Sequence, residues 1–326
     1  MTNRRDLLSL ILASIAAFAW PSQSAAQTSA PAPIRWIVGY PAGGGADFIV
    51  RTIGAQMSRE LGQPIVVDNR PGGSTFIAAQ AAAAARPDGL TLLFADNGTL
   101  VNNKALFEKM PYDVQRDFVS VGTLHRVPIL LVANPAFAAQ DLQSLVRMAK
   151  QAPRTINYAT PGQGSPHHLA MEMLMERYGF AMTHVPYKGG APAIQDVLGN
   201  QVPLLAADTA FALDLVRSAK LKGVAVLTGE RSSALPGVES LRDSGVAGLD
   251  LYAWAGVLAP KATPPDVIAR LSAALQASLN NPEVSKKLRD AGIEPQPGSA
   301  DVLARKIESE SAIWQPLIRS RGIRLE

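Results

Sequence analysis

The chain has 326 residues, 47% hydrophobic and 18% charged, which is the profile of a globular protein and excludes a disordered or fibrous one. Its formal net charge is +4 and no Lys/Arg run exceeds two residues, so it lacks the basic stripe of a nucleic-acid-binding chain. With no cysteine, disulfides, thiolate metal sites and a cysteine nucleophile are all excluded.

At the N-terminus, Arg4 and Arg5 precede the apolar run Leu7–Trp20, and Ser24 and Ala26 supply small residues at the minus-three and minus-one positions of a cut after Ala26. The run falls short of the roughly 20 residues that span a bilayer. It therefore reads as an export signal over residues 1–26. The pair in "NRRDLL" permits a twin-arginine route, but the Phe-Leu-Lys continuation is missing, which leaves that route and the general one both open.

Next, "IRWIVGY" reads as a strand that runs through three glycines into the amphipathic helix "DFIVRTIGAQMSREL", with Ile49, Ile53, Met57 and Leu61 on one face. "PIVVDN" is a second strand, followed by the turn "RPGGS". "TFIAAQAAAAARPDG" is a helix of strong formers with Pro87 and Gly89 as its stop, and "LTLLFAD" is a third strand. Strand and helix alternating in this way imply right-handed crossovers and a parallel sheet. The alternation resumes at "PILLVAN" and continues through "TINYATPG", "THVPY", "VPLLAAD" and "KGVAVLT", with helices between, so two α/β domains are expected. After "LYAWAGVLAP" come three helical segments, expected to pack back on the first domain or else to form a small third one.

The first glycine loop lacks a nucleotide-binding pattern: Phe48 occupies the sixth position of G-x-G-x-x-G counted from Gly43, and there is no Gly-Lys-Ser/Thr. Asp47 would also set a carboxylate beside any phosphate. What remains is the backbone of Tyr40, Ala42, Gly43 and Gly44 at a helix N-terminus, suited to a small carboxylate, with Asp47 capping amides. A tight strand-to-helix turn with a capping aspartate is the alternative for this loop. A second loop carries Thr160, Gly162, Gly164 and Ser165 between a strand and a helix that opens on Pro166. The two loops would face one another across a cleft. Each helix terminus contributes only about 0.3–1 kcal/mol, against roughly 8 kcal/mol for a micromolar complex. Direct hydrogen bonds and burial on closure must supply the rest.

His167 and His168 are adjacent, so on a helix they point about 100° apart and chelate poorly, and neither metal nor cofactor is expected. Ser165 near His168 could mimic a nucleophile and base, but no orienting acid and no G-x-S-x-G are evident; a secreted serine hydrolase is the enzymatic alternative to a non-catalytic protein. Lys188 suits either the cation of a carboxylate site or a solvated turn, and Tyr187 an amphipathic wall.

Taken in order and spacing, "YPAGGGADFIVR", "VVDNRPGGS", "RPDGLTLL", "INYATPGQGSPHHLA", "THVPYKGGAPAIQDVLGNQV", "GVAVLTGERSSALPGVESLRDSG" and "WAGVLAPKATPPDVIARL" resemble the extracytoplasmic solute receptors of the tripartite tricarboxylate transporter, the Bug receptor family, over essentially the whole mature length. The resemblance implies a type II periplasmic-binding-protein fold, two α/β domains joined by two crossing strands with a ligand cleft between. The crossings fall near Val127–Asn134 and Leu251–Pro260, giving a first domain of residues 34–130 plus 254–326 and a second of 131–253. It further implies a periplasmic, monomeric receptor for a small carboxylate (organic acid, dicarboxylate, amino acid or aromatic acid) that closes on its ligand and delivers it to a membrane permease; a sensor for a signalling partner would share these features. The family's ligand positions correspond to Tyr40, Ala42, Gly43, Gly44, Ser74, Asn97, Thr160, Ser165, His168, Tyr187, Lys188 and Asp208. Tyr40 replaces a frequent phenylalanine, and "DNGTL" and "LAADTAFALDL" are atypical, so Asp208 would meet either an ammonium group or a second carboxylate of the ligand.

Overall fold

In the computed structural model, which describes residues 31–246 and 248–326, the first apolar run is strand β1 (Ile34–Val38) and the glycine loop leads into helix α1 (Gly45–Leu61). The export signal expected over residues 1–26 lies outside the described residues. Helix α1 buries Ile49, Ile53 and Met57 at four-residue spacing and stops at Gly62, whose φ of 61° is the left-handed conformation that closes a helix at little cost in glycine. Strand β2 (Ile65–Asn69), a 3-10 turn at Gly73–Thr75, helix α2 (Phe76–Ala83) and strand β3 (Thr91–Asp96) follow. Helix α2 is shorter than its alanine run suggests, because Pro87 disfavours helical backbone at Arg86 and the chain leaves the helix at Ala84.

Two one-turn helices, α3 (Asn103–Leu106) and α4 (Val114–Asp117), precede strand β4 (Phe118–Ala133). That strand starts ten residues before the expected "PILLVAN". Helix α5 (Leu142–Gln151), strand β5 (Asn157–Thr160), helix α6 (Pro166–Tyr178), strand β6 (Thr183–Pro186), helix α7 (Gly190–Leu198), strand β7 (Leu204–Asp208), helix α8 (Thr209–Arg217) and strand β8 (Lys222–Val226) continue the alternation. Strand β9 (Tyr252–Pro260), helices α9 (Pro265–Asn280) and α10 (Pro282–Asp290), the short strand β10 (Glu294–Pro295) and helix α11 (Ala300–Ser320) complete it.

The strands lie in the order β2-β1-β3-β9-β4-β7-β5-β6. Strand β1 is parallel to β2 and β3, and β5 is parallel to β6 and β7, so each half contains the parallel core of an α/β sheet. The halves meet through β4. Its residues Phe118–Pro128 pair antiparallel with β9, and Ile129–Ala133 pair antiparallel with β7 and β8. Pro128 sits at the changeover; having no N–H, it suits a point where one ladder ends and the next begins. The return passes through Leu251, whose carbonyl accepts from Ile129 N–H at 3.3 Å and whose N–H donates to Leu227 at 2.8 Å.

Apolar burial follows the same plan. Trp36, Ile53, Leu92, Val257 and Leu271 pack β1, α1 and α9 together, while Leu130, Val132, Ala193, Leu205 and Val226 pack α7 against the second half. A third cluster, containing Ile37, Leu93, Leu106, Tyr158, Leu174 and Trp314, is continuous beneath both halves, and residues Ala32–Glu326 form one compact unit. The tail helices have no core of their own: Leu275 and Leu288 join the cluster of α1, and Leu303 and Trp314 join the continuous one.

Candidate ligand site at the carboxyl ends of the strands

In an open α/β sheet, ligands bind outside the carboxyl ends of the strands, where helix N-termini converge. The sequence-expected residues follow the carboxyl ends of strands along the chain. Tyr40, Ala42, Gly43, Gly44 and Asp47 follow β1, Ser74 follows β2, and Asn97 follows β3. Thr160 ends β5 and is followed by Gly162, Ser165 and His168; Tyr187 and Lys188 follow β6; Asp208 ends β7.

The first loop is exposed over Ala42–Gly45. Asp47, 4% exposed, accepts from Gly43 N–H and from Arg51 Nε, each at 2.9 Å. The Arg51 hydrogen bond, with help from the Gly43 amide and against the effect of burial, holds this carboxyl down to about 2. The Gly43 amide is thus occupied, and Gly44 N–H donates to Pro41 at 3.4 Å. Helix α1 has no side-chain cap, so the N–H groups without an intrahelical acceptor are those of Gly45, Ala46 and Asp47 itself. Gly43 and Gly44 therefore shape the approach to the amides offered by the next three residues.

The second loop is closed by its own side chains. Ser165 Oγ accepts from His168 N–H at 3.2 Å, and His168 Nδ1 accepts from Gly164 N–H at 3.1 Å. The His168 ring stacks on His184 at 3.8 Å with 11° between planes, and His184 Nε2 lies 2.7 Å from Thr160 Oγ1. Burial, then the neighbouring His168, push His184 down to about 3, partly opposed by Glu172, so it is neutral at physiological pH. Ser165 and His168 meet through a backbone amide rather than through the imidazole, which is not the geometry of a nucleophile and its base.

Several contacts near the strand ends join residues that are far apart in sequence. The Tyr40 hydroxyl donates to Asp96, whose other oxygen accepts from Thr99 N–H at 2.9 Å and Thr99 Oγ1 at 2.8 Å. Burial, the charge and hydrogen bond of Asp96, and the charge of Asp208 hold the Tyr40 hydroxyl well above its ordinary range. His167 Nε2 lies 2.9 Å from Asp208 Oδ1. His125 stacks on Phe94 at 6.0 Å and is pushed down to about 4 by burial, with Asp208 opposing. Asn97, 3% exposed, donates to the Tyr252 carbonyl at 3.4 Å and leaves its Oδ1 without a partner.

The halves also touch directly. A β-carbon on Gly164 would lie 2.7 Å from Leu106, and β-carbons on Gly45 and Gly190 would lie 3.9 and 3.8 Å from the ring of Phe211. Phe211 is 51% exposed and spans the N-termini of α1 and α7. Thr209, fully buried, anchors the first turn of α8 through a 2.8 Å bond to the Pro128 carbonyl. Asn97, Asn102, Ile129, Pro166 and Tyr252 line a narrow seam where the crossing strands meet α6.

Other expected residues stand apart. The Tyr187 hydroxyl donates to Asp196 at 2.6 Å, and burial together with that carboxylate pushes it up to about 12, so the side chain is tied to α7. Lys188 is exposed on the turn before α7 and has no salt bridge among the described residues. Ser74 is exposed with φ at 50°, and its carbonyl accepts from Asn103 at 3.1 Å. Sequence reasoning passed over Asp96, Thr99, His125, His184 and Phe211 as site residues. The rule that strands end at the site would have found Asp96, the last residue of β3. Phe211, inside a helix, carries no such signal.

The family model described as "Tripartite tricarboxylate transporter family receptor" matches residues 49–323. Protein BugT of Bordetella pertussis is 31% identical over 325 residues, covering 99% of this chain and 100% of that protein. The structure of Rpa4515 of R. palustris with adipate is 32% identical with a TM-score of 0.81, over 90% of this chain and 99% of that one. The periplasmic binding protein BugD is 30% identical with a TM-score of 0.77, again over 90% and 99%. Two parallel sheet halves joined by exchanged strands, with glycine loops at their carboxyl ends, are the type II periplasmic-binding-protein arrangement, and the chain belongs to the tripartite tricarboxylate transporter receptor family, with the Bug proteins among its relatives.

Proposed function

We propose that this receptor captures a small carboxylate between its two sheet halves and delivers it to the membrane permease of a tripartite tricarboxylate transporter. The observation that carries the reading is that α1, which has no side-chain cap, and α6, capped by Ser165, each begin at a glycine loop at the carboxyl end of a parallel strand, one in each half. Adipate in the R. palustris relative supports the carboxylate class.

Residues 34–130 plus 254–326 form one domain and 131–253 the other, hinged at Pro128–Ile129 and Leu251–Tyr252. Ligand favours the closed state because amides from both domains reach it only there. The protein works in the periplasm as a monomer, after cleavage near Ala26. It binds and does not transform its ligand. Isothermal titration of the mature protein against organic acids and amino acids, with product analysis of each mixture, is expected to show saturable binding and unchanged ligand. No binding, or turnover of an acid ester, would sink the proposal.

A further inference from the structure

We infer that Phe211 is the latch of this receptor, the positioning residue through which the second half closes on the start of α1. The inference rests on the two-domain closure proposed above. Phe211 belongs to α8, which follows β7 in the second half, whereas Gly45 opens α1 in the first. A β-carbon on Gly45 would lie 3.9 Å from Phe211 Cζ, so the tip of the ring is within van der Waals reach of the first residue of α1. The side of the ring rests near Gly190, the first residue of α7 in its own half, with Cδ2 3.8 Å from a β-carbon there.

Helix α8 buries Thr209, Ala212 and Leu213, the i, i+3, i+4 face of a helix, so Phe211 lies off its core face. It is the only exposed phenylalanine among the described residues. One exposed apolar side chain is ordinary; what marks Phe211 is how its turn is tied. Thr209 bonds the carbonyl of Pro128, at the hinge itself. Ala210 packs on the first half, where a β-carbon on Gly292, in the turn after α10, would lie 3.2 Å from its Cα. Phe211 then reaches the first half a second time, at Gly45. Opening about Pro128–Ile129 draws the ring from Gly45 while Thr209 keeps its bond, because that bond is to a hinge residue. The contact therefore favours the closed state without belonging to the core of either half. Apparent affinity scales with the fraction of molecules that are binding-competent, so loss of a latch weakens every ligand by one factor, whereas loss of a ligand contact changes their ranking.

The test needs no ligand. The chain has no cysteine, so cysteines introduced at the exposed Arg86 and Lys220, one in each half, carry the only spin labels, and double electron–electron resonance reads the distance between the halves. Phe211→Ala is expected to broaden or shift that distance distribution, and Phe211→Met, which keeps an apolar chain of similar reach, to restore it. Phe211→Tyr places a hydroxyl on Cζ, the atom that faces Gly45, and is expected to shift the distribution with the ring retained; it decides alone if Phe211→Ala misfolds. Ile313→Ala, at a site of equal exposure on α11, is expected to match wild type. Alanine and tyrosine variants that superimpose on wild type, or an equal change in Ile313→Ala, overturn the inference. In calorimetric titration with organic acids and amino acids, Phe211→Ala is expected to weaken every binder by a common factor of about three to ten. A changed ranking overturns the latch in favour of a ligand contact. Failure of the wild-type protein to bind any of them overturns the receptor reading alone, because the distances are measured without ligand.

Discussion

The two glycine loops share a pattern, a strand running through glycines into a helix N-terminus, yet they are built in opposite ways. In the first, Ala42–Gly45 stand in solvent and the helix start is tied from within by Asp47, which holds Gly43 N–H and Arg51. In the second, Ser165 and His168 cap the helix and the loop respectively, and Gly164 is pressed against Leu106 from the other sheet half. One loop is an open rim set by local electrostatics. The other is a packed surface set by tertiary contact.

The sharpest way to break the comparison is to load both glycines. At Gly164, φ is +71° and a β-carbon meets Leu106 at 2.7 and 2.9 Å. Gly164→Val is expected to cost about 3 kcal/mol or more, through left-handed strain plus overpacking, in a denaturant unfolding curve. At Gly43, φ is +79° but nothing lies within 4 Å of the added carbon. Gly43→Val should cost only the strain, about 1–2 kcal/mol, while weakening ligand binding in the same titrations. Equal losses of stability would erase the distinction.

Asp47→Ala tests the internal tie of the open loop, with an expected loss of about 1–2 kcal/mol at neutral pH, modest because Arg51 is largely in solvent. The folded-state pKa, about 2, lies below the ordinary 3.8. Its stabilisation is therefore complete above about pH 4 and is lost as pH falls through 2, and the acid-unfolding profile of the variant should lack that component. A variant profile that parallels wild type would show that the tie contributes nothing.

The smallest expected effects are at the caps. Ser165→Ala should lower stability by about 1 kcal/mol through loss of the bond to His168 N–H. Gly44 occupies the equivalent position in α1 with φ −83° and ψ 177°, extended backbone that any residue adopts. Gly44→Ser is expected to raise stability by about a few tenths of a kcal/mol while crowding the carboxylate approach. Thermal melts of the two variants moving in opposite directions would sharpen the contrast; a gain from both would contradict it.

Much of this was legible from local signals. The strands β1 to β3, the helix α1 with its buried Ile49, Ile53 and Met57, and the placement of the loops at strand ends follow from periodicity and glycine position. Strand β4 was only half visible. Its first ten residues, Phe118–Val127, mix polar and apolar types because they pair with β9, more than a hundred residues later in the chain. Lys188, which suited either a site cation or a solvated turn, is exposed, and the Tyr187 hydroxyl donates to Asp196. Sequence offers residue types at those positions but not the direction of a side chain.

By itself the sequence determined the α/β alternation, the exclusion of cysteine chemistry and the two helix starts that follow glycine loops, since each depends on composition, repeat period or backbone preference within a few neighbours. Tertiary structure alone decided which amides stay free, that Tyr40 meets Asp96 across 56 residues, that His167 meets Asp208 across 41, and that Phe211 spans Gly45 and Gly190. Those are through-space relations. Charge, burial and packing act over ångströms in the folded molecule, where distance along the chain has no bearing on them.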